Sequence, residues 1–204
     1  MSSTIYFPPS SEGSTQLDVP YKRIMVIITN PLHRDILETI DSYTEHQKEI
    51  DIRYVEFNNL LNVLDVFVNA ANVNKLFIIT DAKNNYGVIH RQISLLSHKE
   101  RFMGVWAFPN NQNQGDVNEF MDKITLCTND VVKRVDDLIK TNERESNIVI
   151  PNNKKGIAKY YALMALQQDP THTMKDAIDK GYFSKTDLLY QEFEKWINNI
   201  LRND

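Results

Sequence analysis

The sequence predicts an α/β protein: a mainly parallel sheet of about four strands flanked by helices, with a helical C-terminal segment packed onto it. Three observations predict it. Short runs rich in Ile, Val and Phe have the length of buried strands. Stretches with apolar residues three and four apart, mostly opened by Asn, separate them. Beyond residue 115 the helical period dominates.

Residues 1–20 carry Ser, Thr, Pro and Gly without a sustained period and read as a flexible tail. Arg23 to Thr29 is a continuous apolar run, a strand buried on both faces. Asn30-Pro31 opens one helix with a buried stripe of Leu32, Ile36, Ile40 and Tyr43, Asn as cap and Pro in the first turn. Ile50 to Phe57 is a second strand. Asn58-Asn59 caps a helix carrying Leu60, Leu61, Leu64, Phe67 and Ala71. Lys75 to Asp81 is a third strand ending in an acid. Asn84-Asn85 starts a helix with Val88, Ile89, Ile93 and Leu96 inward, and Phe102 to Phe108 is a fourth strand stopped by Pro109.

The helical part follows. Asp116 to Ile124 is apolar at Val117, Phe120, Met121 and Ile124. Asn129-Asp130 caps a helix with Val131, Val132, Val135, Leu138 and Ile139, and Thr141 to Asn147 reads as a connection. Ile148 to Pro151 reads as a short extended piece. A helix from Asn152 runs through Tyr160 and Met164 to near Asp169-Pro170, and another spans Thr173 to Lys180 with Gly181 as its stop. Thr186-Asp187 caps a last helix with Leu189, Phe193, Trp196, Ile197 and Ile200 on one face. The expected organisation is a tail over 1–20, an α/β core over 21–126 and a helical extension over 127–204, forming one unit.

Composition excludes several classes. A chain of 204 residues with 42% hydrophobic and 25% charged residues is long enough for a core and is not disordered as a whole. The apolar runs are strand-sized, so no membrane span is expected. Twenty-three Lys and Arg against 27 Asp and Glu leave a net charge of −4, unlike a generic nucleic-acid coat. The single cysteine, Cys127, excludes a disulfide framework and a cysteine-built zinc site. With no basic-then-apolar leader, the location expected is cytoplasmic.

In an open parallel sheet, ligands bind beyond the carboxyl ends of the strands. Those ends are Thr29-Asn30, Thr80-Asp81-Ala82-Lys83, and the long segment from Pro109 to Phe120. Gly104 to Ile124, GVWAFPNNQNQGDVNEFMDKI, resembles a motif of an uncharacterised prokaryotic family related to Toprim domains and to nucleases of the overcoming-lysogenisation-defect type. In that motif a strand runs into Pro-Asp-Asn, a Gly-containing loop and a helix opening Leu-Glu-Asp-Phe. The stretch Met164 to Pro170, Ala177-Ile178 and the helix with Phe193 and Trp196 is similar too.

The resemblance implies a frame whose working site is made of acids that hold divalent magnesium against a phosphodiester. Here most of those acids are replaced. The Glu after strand one falls on Asn30 or Thr29. Asp-x-Asp becomes Asp81-Ala82-Lys83. Pro-Asp-Asn becomes Pro109-Asn110-Asn111, and the helix-opening Glu-Asp becomes Asn118-Glu119. If strand three persists to residue 83, Asp81 and Lys83 share one side, and the ammonium would form an internal ion pair where a metal would sit. No catalytic residue and no cofactor are therefore expected, and Asp81, Lys83, Asp116 and Glu119 mark a vestigial site.

The expected function is a catalytically degenerate Toprim-like module, a binding or scaffold subunit of a prokaryotic defence or DNA-maintenance system. The resemblance implies an ATPase partner. Nucleic acid is a second candidate partner, contacted by the amides of Asn30, Asn110 and Asn111 and by Lys154, Lys155 and Lys159 at a helix N-terminus. One alternative is a reduced nuclease with one Mg²⁺ or Mn²⁺ on Asp81, Asp116 and Glu119. Another is a receiver-like domain phosphorylated on Asp81. Each residue also has an ordinary structural reading: Asp81 as a helix cap, the Asn-rich loop as turn chemistry, the lysines as a solvated face, Trp106 and Trp196 as core. The five histidines lack metal-ligand spacing and are expected at the surface or as caps.

Overall fold

The computed structural model describes residues 24–60, 62, 66–67, 73–84, 86–95, 100–145 and 152–202. Four strands form one sheet: β1 (Ile24–Ile28), β2 (Ile50–Tyr54), β3 (Lys75–Asp81) and β4 (Phe102–Phe108). Their order is β2-β1-β3-β4 and every pairing is parallel, with Ile28 opposite both Tyr54 and Ile79. The helices are α1 (Pro31–Leu37), α2 (Asp41–His46), α3 (Tyr86–Ser94), α4 (Val117–Ile124), α5 (Asn129–Glu145), α6 (Asn152–Ala165), α7 (Met174–Asp179) and α8 (Leu188–Arg202). No helix among the described residues is long and apolar enough to cross a membrane.

The period of two along each strand divides the core into two layers. Val26, Ile28, Phe77, Ile79, Trp106 and Phe108 face one side, where α1, α4, α6, α7 and α8 bury their apolar stripes. Met25, Ile27, Leu76, Ile78 and Val105 face the other, with Leu60, Val73 and Ile89. The register between β3 and β4 shifts at Leu76/Phe77, where β4 carries an extra residue. This bulge restores the alternation that places Trp106 and Phe108 on the helical side. Gly104 takes φ +138° there, with the Trp196 indole 3.8 Å from where its Cβ would be.

The C-terminal helices are part of the main core. Phe193 of α8 meets Phe108 at 5.2 Å and Trp106 at 5.3 Å between ring centroids, and Phe120 of α4 meets Phe108 at 4.9 Å. Trp106 is buried, so its role here is packing. Burying a phenylalanine completely stabilises by about 1.5–3 kcal/mol.

The local capping chemistry follows the sequence. Asn30 caps α1 by accepting the Leu32 N–H at 3.1 Å, Asp116 caps α4, and Thr173 caps α7 by accepting the Asp176 N–H at 3.1 Å. Gly181 follows α7 with φ +77°, a conformation suited to glycine.

Several expectations are corrected. The single helix over 30–43 is two, because the Thr39 hydroxyl donates to the Ile36 carbonyl at 2.6 Å and Ile40 turns extended. Strand two stops at Tyr54, and Phe57 lies in a short 3-10 turn (Phe57–Asn59). Val88 is 53% exposed rather than inward, while Ile89 is buried. Helix α5 continues to Glu145, through most of the expected connection, and α6 ends at Ala165. Residues 1–23, most of the helix expected after Asn59, the side chain of Ile93, Leu96, and the piece at 148–151 lie outside the described residues.

Candidate functional site: a cleft at the ends of β1 and β3

The chain leaves β1 for β2 on one side and reaches β3 on the other, so the strand order reverses between β1 and β3. A crevice at the carboxyl ends of the strands follows from that reversal. A cleft of about 690 Å³ lies there. Tyr54, Thr29 and Asn30, Asp81 and Lys83, and the segment from Gln114 to Glu119 line it.

Asp81 ends β3 as a buried carboxylate, 5% exposed. Its Oδ1 lies 3.0 Å from His33 Nε2 and accepts the Val117 N–H at 2.9 Å. Its Oδ2 faces the Asn30 amide donor at 3.4 Å. His33 is fully buried in the first turns of α1, stacked on Phe108 at 5.0 Å between centroids. The other ring nitrogen, Nδ1, lies 3.1 Å from the Ile79 carbonyl oxygen. A carbonyl only accepts, so Nδ1 carries a proton. Nε2 faces the Asp81 carboxyl, so the two buried side chains form a hydrogen-bonded pair. Burial pushes the Asp81 carboxyl up, but the charge of His33 and the bonds from His33, Val117 and Asn30 outweigh it and hold the group below its ordinary value.

The expected Asp81–Lys83 ion pair is therefore corrected. The strand ends at Asp81, and Lys83 adopts φ +47° because its backbone pairs with Gly115 across the cleft, N–H to carbonyl at 2.5 and 3.0 Å. Its ammonium sits 4.2 Å above the Phe57 ring centroid and has no carboxylate partner among the described residues. His33 takes the place beside the acid instead. The expectation from the sequence is His33 at the surface or as a cap, and it is fully buried. The available signal was its position on the same helical face as Ile36 and Leu37.

The three surviving acids share the cleft without converging. Asp116 Oδ1 accepts the N–H groups of Asn118 at 2.8 Å and Glu119 at 3.3 Å, and Oδ2 accepts the Asn118 amide at 3.1 Å. Glu119 folds over Gly115, whose Cβ, were one present, would lie 2.6 Å from Oε2; Gly115 also takes φ +136°. Among the described residues, no group of three or more His, Cys, Asp or Glu is placed to hold a metal ion. The residues present do not fit the Mg²⁺ or Mn²⁺ that the reduced-nuclease alternative requires on Asp81, Asp116 and Glu119.

The other candidates are used elsewhere. Asn110 Oδ1 accepts the N–H groups of Gln112 at 3.2 Å and Asn113 at 2.9 Å, and Asn111, at φ +59°, accepts the Ala107 N–H at 3.0 Å. Both side chains shape their own loop, and neither lines the cleft. Lys155 pairs with Glu143 at 2.8 Å; Lys159 pairs with Asp122 at 2.9 Å and reaches Asp136 at 3.6 Å. These two lysines border a second, smaller cleft between α4, α5 and α6, apart from Asp81. The Lys154 side chain lies outside the described residues. Beside Lys159, the Tyr160 hydroxyl lies 2.8 Å from the Asn118 carbonyl and 3.0 Å from Asp122 Oδ1. Burial first, and the acids around it second, push its ionisation far above the ordinary value.

The chain matches no curated protein and no solved structure. Residues 32–202 match the family described as protein of unknown function (DUF3226), a span that runs from the second residue of α1 through β2, β3, β4 and every later helix, and the chain belongs to that family.

Proposed function

We propose that the chain is a catalytically degenerate, Toprim-like binding module. It acts as a subunit of a prokaryotic defence or DNA-maintenance system and presents the cleft at the ends of β1 and β3 to its ligand. The observation that carries this reading is the commitment of Asp81. A carboxylate that organises a metal needs open oxygen lone pairs and access to water-borne ions. Asp81 has its oxygens turned to His33, Val117 and Asn30 and is nearly excluded from solvent. The cleft is retained, and the acid at its floor has become internal support. An ATPase as the partner, and the setting in defence or DNA maintenance, rest on the resemblance in the segment Gly104 to Ile124 and in the C-terminal stretch.

The test is calorimetric titration of Mg²⁺ and Mn²⁺ into the full chain, paired with cleavage assays on single- and double-stranded DNA and RNA. Glu119→Gln and Asp116→Asn serve as variants beside Asp81→Asn. The expected result is neither sub-millimolar binding nor metal-dependent cleavage. Cleavage that needs the metal and disappears in Glu119→Gln would overturn the reading, even if Asp81→Asn simply unfolds.

A further inference from the structure

We infer that the cleft at the ends of β1 and β3 is a nucleoside site: it takes an uncharged base with its sugar and disfavours the phosphorylated form. This rests on the binding-module reading and names its ligand. The volume, about 690 Å³, lies within the range of small-molecule sites, roughly 300–1,000 Å³, and exceeds what one inserted side chain fills.

The groups left open in the cleft have a consistent chemistry. Tyr54, at the end of β2, is 51% exposed and offers a ring face on which a base can stack. Gln114 spends one amide hydrogen on the Asn84 carbonyl at 3.4 Å and keeps its acceptor, and the Asn84 carboxamide has no partner among the described residues. Carboxamides present the paired donor and acceptor that match a base edge. The Glu119 carboxylate has no partner among the described residues either; a carboxylate at this position suits the hydroxyls of a ribose. Tyr54 and Asp81 are separated by β1, so the strand ends span about 10 Å, room for a base at one end and a sugar at the other.

The same cleft is closed to phosphate. The first four N–H groups of α4, the usual anion site, are all taken: Val117 donates to Asp81, Asn118 and Glu119 donate to the Asp116 side chain, and Phe120 donates to the Asp116 carbonyl. Asp81 is turned to His33, and the charges open to the cleft are Lys83 against Asp116 and Glu119, with the Lys83 ammonium drawn onto Phe57. The net local charge is negative.

The experiment titrates adenosine, guanosine, cytidine and uridine, and their 5′-monophosphates, into the full chain by calorimetry, with and without Mg²⁺. At least one nucleoside is expected to bind below millimolar concentration, with its monophosphate about tenfold or more weaker. Tyr54→Ala and Glu119→Gln are each expected to weaken that binding about tenfold at unchanged melting temperature, while Lys195→Ala leaves it unchanged. A monophosphate that binds more tightly, a binding nucleoside indifferent to both variants, or no nucleoside binding at all would overturn the assignment. Those outcomes leave the binding-module reading intact, which falls only with metal-dependent cleavage.

Discussion

Asp81 and His33, 48 residues apart in the chain, meet at 3.0 Å under the floor of the cleft, and each is nearly or fully excluded from water. The same Asp81 oxygen receives the first N–H of α4, so one carboxylate ties β3, α1 and the start of the C-terminal helices together.

That arrangement predicts a large and asymmetric mutational cost. Removing one member of a buried, hydrogen-bonded pair strands the other charge, which costs about 3–5 kcal/mol. His33→Ala is expected to lose that much in urea denaturation. His33→Ala combined with Asp81→Leu is expected to recover part of it, since no charge then remains buried. A loss below about 1 kcal/mol for the single variant would mean that the pair carries no stabilising role.

The lowered Asp81 pKa sets a direction for pH dependence. The group ionises more easily in the folded chain than in the unfolded chain, whose carboxyl titrates near 3.8. Its contribution is therefore fully present above that value and is lost as pH falls through the folded value. Acid unfolding of the wild type should steepen below about pH 4, and Asp81→Asn should flatten that limb. Parallel slopes in the two proteins would contradict the assignment.

Gly156 offers a test of helix contact. An added Cβ there would lie 1.6 Å from Asn118 Oδ1, and Asn118 cannot swing aside freely because its amide is bonded to Asp116. Replacing glycine by alanine inside a helix normally gains about 1 kcal/mol. Here the sign is expected to reverse, with Gly156→Ala losing about 1–3 kcal/mol through overpacking. Adding Asn118→Ala should restore most of the loss, measured as urea midpoints.

The break between α1 and α2 rests on Thr39. Its hydroxyl donates to the Ile36 carbonyl and lies 2.7 Å from the Tyr190 hydroxyl of α8, 151 residues away. Thr39→Val removes the nearer partner of the Tyr190 hydroxyl and leaves it the Thr39 carbonyl at 3.4 Å, so a loss of about 0.5–1.5 kcal/mol is expected. The double-mutant cycle with Tyr190→Phe should give a coupling of about 0.5–3 kcal/mol; additive losses would show that the contact is incidental.

Much of the frame was legible in the sequence. The bounds of β3 and β4, the Asp116 cap, the stripe of Val117, Phe120, Met121 and Ile124, and the buried face of α8 all follow from periods and caps that operate within a few residues. The ends of β1 and β3 were readable as candidate cleft borders from the same patterns, whereas the strand order that reverses between them and brings Tyr54 to the cleft was not.

What tertiary structure alone decided is which polar groups meet. Lys83 is two residues from Asp81, yet pairing with Gly115 turns its backbone away, and His33 arrives from another element to take the place beside the acid. Lys155 and Lys159 look like an open basic patch until α5 brings Glu143 to the first and α4 brings Asp122 to the second. Hydrophobic periodicity is a local property of the chain and survives in its sequence. A hydrogen bond or ion pair needs two groups within about 3 Å, and for groups dozens of residues apart only the folded sheet and its crossovers set that distance.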